Sequence, residues 1–220
     1  YKKAITYAKE NDKNLIIVGG SSFYLKSLID GISPIPKISQ EIKEKTDKFL
    51  KDLPYAYNFL CDIDPIHMSK IKPSDTYRIE KTLNIYLQTG IKPSDYFKSN
   101  PPIPAITENL PIFEIDMPRD ILRDRIKQRT KKMLEAGLIE EVKMLEDKYT
   151  KAPNPMKAIG IRETLDFLDG KISENELSEL ISTHTAQLAK RQTTFNRTQF
   201  KEKILIKNDD IRVFDKVFNI

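Results

Sequence analysis

The residues best suited to chemistry are basic and clustered. Arg119, Arg123, Arg125 and Arg129 fall within one short stretch, interleaved with the apolar Leu122, Ile126 and Met133. Arg125 and Arg129 are one helical turn apart, so a helix presents them on one face. Guanidinium groups projecting from one face bind a diphosphate bidentately and stabilise charge on a leaving group. Asp120 and Asp124 offer the alternative of ion pairs on a solvated surface. A second basic cluster, Lys190, Arg191 and Arg197, suits either phosphate contact or a solubilised helix end. A third candidate is Gly19, Gly20, Ser21 and Ser22, which follow the apolar run 15–18. A strand turning through glycines into a helix N-terminus points N–H groups and hydroxyls at a ligand, although a tight turn with a serine cap reads the same way. The histidines, His67 and His184, are far apart and lack Glu or Cys at ligand spacing, which argues against a protein-built metal site. His184 shares a helical stripe with Leu177, Ile181 and Leu188, so a packed or partly exposed core-edge position is expected. No nucleophile elbow, dinucleotide fingerprint or G-x-x-x-x-G-K-[ST] loop is present.

The elements that must position these residues alternate between strand and helix. Residues 15–18 read as a strand buried on both faces, as in a parallel sheet. Residues 23–29 form a helix that stops at Asp30 and Gly31, and 32–36 leave it extended. Residues 39–99 carry a lysine-rich helical pattern, with helices at 40–51, near 65–70 and at 75–87, where Ile79, Leu83 and Tyr86 share a face. A proline-rich connector at 101–111 leads to a strand at 112–117, and Pro118 opens a helix to about Glu135. Helices follow at 139–148, at 161–168 and from Ser173, which forms a capping box with Glu176. A strand at 204–206 and a short helix near 213–218 come last. The first residues, Tyr1 to Asn11, read as an amphipathic helix. The pattern is an α/β core interrupted by a helical insertion.

Bulk properties set looser bounds. The 220 residues are 39% hydrophobic and 31% charged, with a net charge of +5 and a pI near 9.0. That balance permits a polyanionic partner without requiring one, since acidic and basic residues are interspersed. No run is long enough to span a bilayer, and residues 1–11 lack the apolar centre of a signal peptide. A single cysteine, Cys61, excludes an internal disulfide and fits a reducing cytoplasm, with a small buried side chain as its ordinary role.

Five segments occur in an order that identifies a resemblance. GGSSFYLK at 19–26 resembles G-G-T-x-x-Y-x-K, and PSDTYRIEK at 73–81 resembles P-x-D-x-x-R-x-x-R. The arginine helix at 116–129 continues into MLEAGLIEEV at 133–142. AIGIRE at 158–163 and AKRQTTF at 189–195 complete the series. Together they resemble the tRNA dimethylallyltransferase (tRNA isopentenyltransferase) family over residues 15–197.

That resemblance implies a P-loop-kinase-like parallel-sheet core with a mainly helical insertion: 1–36 and 111–220 in the core, 37–110 as the tRNA-binding insertion. It implies transfer of a dimethylallyl group from dimethylallyl diphosphate, with Mg²⁺ on the diphosphate, to the N6 amine of the adenine 3′ of the anticodon. The adenine must leave its stack to meet the donor. The partners are then the tRNA anticodon stem-loop and the diphosphate, with no membrane and a monomeric protein as expectations. Ser21 stands at a threonine that lies beside the target adenine. Lys43 aligns with a basic tRNA contact, as do the stretches Tyr77, Arg78, Ile79, Glu80, Lys81 and Lys157, Ala158, Ile159, Gly160, Ile161, Arg162. Arg125, Arg129 and Arg191 are assigned to the diphosphate or active site. Departures are Ala186 for an arginine, Phe195 for tryptophan and Ile161 for an aromatic residue.

Family members begin with a strand, a phosphate loop and an aspartate general base, none of which lies in these residues. The expectation is that the segment 1–220 does not catalyse transfer alone. The rival readings are a P-loop nucleotide-kinase-like phosphotransferase and a non-catalytic RNA-binding protein. The first does not explain AKRQTT together with the lysine-rich insertion; the second predicts tRNA binding indifferent to the diphosphate donor.

Overall fold

In the computed structural model, which describes residues 1–108 and 110–207, helix starts follow short-range rules. Ser39, Asp52, Asp64 and Asp75 each accept a backbone N–H from the first turn of the helix they precede. They open α3 (Gln40–Leu50), α4 (Leu53–Ile63), α5 (Pro65–Met68) and α6 (Thr76–Thr89). Before them come α1 (Lys2–Glu10) and α2 (Ser22–Asp30), and after them α7 (Pro93–Ser99). The sequence pattern for 39–99 contains α3, α5 and α6 as separate helices but leaves α4 and α7 undivided from their surroundings.

One compact unit holds Tyr1–Ile17 and Phe23–Glu108. Its core is Ala56, Leu60, Met68, Ile71, Ile79 and Leu83, drawn from α4, α5, α6 and the turn after α5. Cys61 is partly buried against this cluster, in keeping with a packing role. Between α3 and α6, the buried Thr46 hydroxyl donates to Asn84 Oδ1 at 2.8 Å, so neither polar group is stranded. Asp64 is buried and ties three elements: its carboxylate accepts from His67 N at 2.9 Å and Ser94 N at 2.7 Å. The chain leaves α2 through Gly31, at φ +87°, where Ile32 and Ile103 form an antiparallel bridge. A Cβ on Gly31 would fall 2.3 Å from the Ile103 carbonyl carbon, so only glycine fits both the angle and the approach.

The second unit holds Val18–Ser22 and the described residues from 110 onward. Its strands, β1 (Ile112–Asp116) and β2 (Lys203–Lys207), pair in parallel with Ile112 opposite Lys203 and Asp116 opposite Lys207. Lys203 and Glu114 form an ion pair across them. Between the strands run α8 (Arg119–Glu135), α9 (Leu138–Tyr149), a 3₁₀ turn (Asn154–Lys157), α10 (Ile161–Leu168) and α11 (Glu174–Gln199). Val142, Met156 and Leu165 form one small core. Elsewhere α8 packs along α11, with Ile126 and Thr130 buried on the first and Leu177 and Ile181 on the second. The Ser173–Glu176 capping box is formed as expected, from Ser173 N–H to Glu176 Oε2 at 2.7 Å and from Glu176 N–H to Ser173 Oγ at 3.4 Å.

Two expectations are corrected. Residues 15–18 are not a strand: they have no ladder partner among the described residues, and Val18 is 89% exposed. An apolar run supplies strand propensity, but a parallel strand also needs neighbours for its backbone groups. The apolar stripe on α11 is also shorter than expected: Leu177 and Ile181 are buried, whereas Leu188 is 40% exposed. The architecture is thus mostly helical, with one small parallel sheet among the described residues. The helix expected near 213–218 lies outside the described residues.

Candidate active site

The Gly19–Ser22 loop and the end of α11 meet within the second unit. A Cβ on Gly20 would lie 3.0 Å from Gln192 Nε2, so the glycine backs directly onto the AKRQ segment. Ser21, next in the loop, is exposed. Further along α11, an open groove of about 570 Å³ is lined by Gln187, Lys190, Arg191, Thr194, Phe195 and Thr198. All six lie on one face of α11, which presents two cations, hydroxyls and an aromatic ring to an open concavity. Phe195 is braced edge-on by Phe200, with ring centroids 6.3 Å apart. Ala186, one residue before the groove, is half-buried.

Arg125 and Arg129 are exposed on α8, and both lie outside the lining of this groove. Their helix is nevertheless fixed to α11, where Ser182 Oγ donates to Thr130 Oγ1 at 3.2 Å. Burial of Ile126 and Thr130 turns Arg125 and Arg129 outward, as the helical spacing implies.

The stretch from Lys157 to Arg162 is built around Gly160, which stands at φ +96° as the N-cap of α10. Lys157, Ala158 and Arg162 are exposed, Ile159 and Ile161 half-buried, and Gly160 buried. Glu163 beneath them is 2% exposed. Its Oε2 accepts Gly160 N–H at 2.7 Å, and its Oε1 meets Arg162 Nη2 at 2.7 Å and His184 Nδ1 at 2.6 Å. Burial alone would raise this carboxyl, but hydrogen bonds from the Gly160 and Glu163 N–H groups, Arg162 and His184 outweigh it and hold it below the ordinary range. Sequence reasoning treats His184 as core edge and assigns Glu163 nothing. The available signal was a glutamate three residues after a glycine N-cap, the spacing of a capping box.

In the first unit, Lys43 is exposed on α3. On α6, Tyr77, Arg78 and Lys81 face outward, Glu80 is intermediate and Ile79 is wholly buried. Ile79 therefore serves packing, and its neighbours form the accessible face. Lys81 Nζ lies 5.2 Å above the Tyr77 ring and 2.8 Å from Glu80 Oε1, while Arg78 Nη1 is 3.5 Å from Asp75 Oδ2. Arg78 and Lys81 are themselves solvent-exposed in these pairs, so turning them toward a phosphate costs little.

Residues 1–199 match the family model described as IPP transferase. The chain belongs to that family. It is 57% identical over 200 residues to the tRNA dimethylallyltransferase of Sulfurimonas denitrificans, a match covering 91% of this chain and 67% of that protein. With the enzyme of the same name from a Sulfurovum species it shares 53% over 204 residues, covering 93% and 68%. Among solved structures, a eukaryotic dimethylallyltransferase acting on tRNA superposes with a TM-score of 0.76 at 27% identity, covering 97% of this chain and 56% of that one. The Bacillus halodurans tRNA isopentenylpyrophosphate transferase gives a TM-score of 0.58 at 26% identity, covering 98% and 67%. The chain therefore spans about two thirds of these bacterial relatives and just over half of the eukaryotic one. The resemblance carried by five ordered motifs is thereby established, and with it membership among the tRNA-modifying prenyltransferases. Among the described residues, no helix is long and apolar enough to cross a membrane.

Proposed function

We propose that this chain acts in the transfer of a dimethylallyl group from dimethylallyl diphosphate to the N6 amine of the adenine 3′ of the anticodon. In this reading the amine nitrogen forms a bond to the first carbon of the dimethylallyl group, the bond from that carbon to diphosphate oxygen breaks, and the amine gives up a proton. The diphosphate leaves with increased negative charge, and preorganised guanidinium groups lower the barrier by meeting that charge. This role is assigned to Arg191 on α11, with Arg125 and Arg129 supplying further positive charge from α8. Mg²⁺ accompanies the diphosphate as part of the substrate. The Ser21 hydroxyl hydrogen-bonds the target adenine.

The anticodon stem-loop is held by Lys43 and the Tyr77–Lys81 face of the first unit and by the Lys157–Arg162 turn of the second. A P-loop-kinase-like core is the framework we assign to β1, β2 and the helices beside them, with residues 37–110 as the insertion. The cytoplasm, where tRNA is modified, is the compartment of this reaction.

The observation that carries this reading is the seating of Gly20 on Gln192. It brings the loop bearing Ser21 to the helix bearing Lys190 and Arg191, two segments separated by most of the chain. The test is mass spectrometry of an anticodon stem-loop incubated with the full-length gene product, dimethylallyl diphosphate and Mg²⁺. The expected product carries one added dimethylallyl group, lost when guanine replaces the target adenine. Binding without any product, or phosphoryl transfer from ATP to the RNA or a nucleotide, would overturn the assignment.

A further inference from the structure

Glu163 does more than cap a helix. One oxygen suffices to cap α10, and Oε2 does so by accepting Gly160 N–H. The other oxygen, Oε1, gathers Arg162 from the same helix and His184 from α11. A carboxylate held ionised has no proton to donate, so at 2.6 Å the imidazole must donate through Nδ1–H. Arg162 Nη2, 3.1 Å from that same Nδ1, then has no lone pair to address there and directs its proton to Glu163. The tautomer and the arginine orientation are thus set together.

The consequence falls on Arg162. Its side chain is 52% exposed although one nitrogen is anchored to a carboxylate that is 2% exposed. Guanidinium is planar with a rigid fork of donors, so fixing one nitrogen restricts the direction of the others. A donor set ordered in advance loses less entropy on meeting a phosphate. We propose that Glu163 is a positioning residue for tRNA binding, holding the Gly160 turn and the Arg162 guanidinium in their RNA-meeting geometry while His184 anchors the assembly to α11. This rests on the reading of Lys157–Arg162 as a tRNA contact.

The test is a double-mutant cycle on the full-length protein, read as binding of a fluorescent anticodon stem-loop and its dependence on salt. Arg162→Ala is expected to weaken binding about tenfold and to reduce the salt slope by about 1, the signature of one lost phosphate contact. Glu163→Ala should do nearly the same in the parent background. In the Arg162→Ala background it should add less than about twofold, because two residues acting as a unit are not additive. Glu163→Gln keeps one acceptor oxygen and turns an NH2 toward the other set of N–H donors, so it should weaken binding about threefold in the parent and not further in the Arg162→Ala background; on that smaller scale it replaces Glu163→Ala in the cycle if the alanine protein melts below the assay temperature. An equal Glu163 penalty in both backgrounds, with the salt slope unchanged, would show that Glu163 supports the fold only and would overturn the proposal. If Arg162→Ala binds like the parent, the tRNA-contact reading itself fails, a result distinct from failure of Glu163 alone.

Discussion

The amide of Asn196 donates to Glu114 Oε1 at 2.7 Å, joining the last turns of α11 to the middle of β1. Glu114 also pairs with Lys203 on β2, so one carboxylate ties a helix to both strands. Asn196 Oδ1 is buried with no hydrogen-bond partner among the described residues, which leaves the Nδ2 bond as its anchor. Replacing Glu114 with alanine strands both partners and is expected to lower stability by about 2 kcal/mol. Glu114→Gln keeps an acceptor for Asn196 and should lose about half as much. Urea denaturation of the two variants measures the difference, and equal losses would assign the whole effect to the Lys203 pair.

Two glycines should respond oppositely to alanine. At Gly31 the new Cβ meets the Ile103 backbone at 2.3 Å in a positive-φ conformation, where neither side can yield cheaply. Gly31→Ala is expected to cost at least about 2 kcal/mol. At Gly20 the new Cβ meets the end of the Gln192 side chain, which can rotate, so Gly20→Ala should change stability by less than about 0.5 kcal/mol. A larger residue there pushes the loop off α11, and Gly20→Val should lower prenyl transfer while the melting temperature stays near that of Gly20→Ala. Melting curves read beside turnover separate the two effects.

His67 gives the first unit a pH dependence. Burial disfavours its charged form, Asp64 opposes this and Lys70 adds to it, leaving the imidazole below its ordinary value of 6.5. The unfolded chain therefore binds a proton more readily than the folded one. Stability is full above pH 6.5 and falls as pH drops from there through the depressed folded value. Asp64 acts lower: burial raises it, but N–H donors from Ser94 and His67 prevail and hold it below its ordinary 3.8. Its contribution is present above 3.8 and lost as pH falls through the lower folded value. Melting temperatures should hold above pH 6.5 and decline as pH falls below it. His67→Gln should flatten that decline and leave the more acidic limb intact.

The arginines should divide by step. Arg191→Ala is expected to reduce the rate of dimethylallyl transfer about a hundredfold at saturating tRNA, in line with the loss of one charge-stabilising donor, with RNA affinity nearly unchanged. Arg78→Ala should do the reverse, weakening RNA binding and lowering its salt slope by about 1 while the saturated rate holds. Single-turnover assays across tRNA concentration and salt distinguish these outcomes. An affinity loss at Arg191 without a rate loss would move that residue from the diphosphate to the RNA.

Local features were legible because their physics is local. Asp75 and Gly90 bound α6 through bonds to residues three and four away, and Ser173 with Glu176 opens α11 the same way. The motifs at 19–26, 73–81, 116–129, 158–163 and 189–195 identify the family from side-chain order alone. Apolar periodicity correctly placed Ile79 and Leu83 inside, and for that same reason Ile79 has no surface to offer RNA within its stretch.

What the tertiary structure decided were relationships between distant residues. Strand formation at 15–18 depends on a neighbouring ladder, and periodicity carries no information about one. Leu188 has the right spacing for burial, yet among the described residues nothing covers it as Leu177 and Ile181 are covered. Glu163 and His184 are chemically ordinary in sequence, and become a fixed pair with Arg162 only when α10 and α11 bring them to 2.6 Å. Spacing along a chain determines which side chains share a face. Which of those faces is met, and by what charge, is determined by packing across the fold.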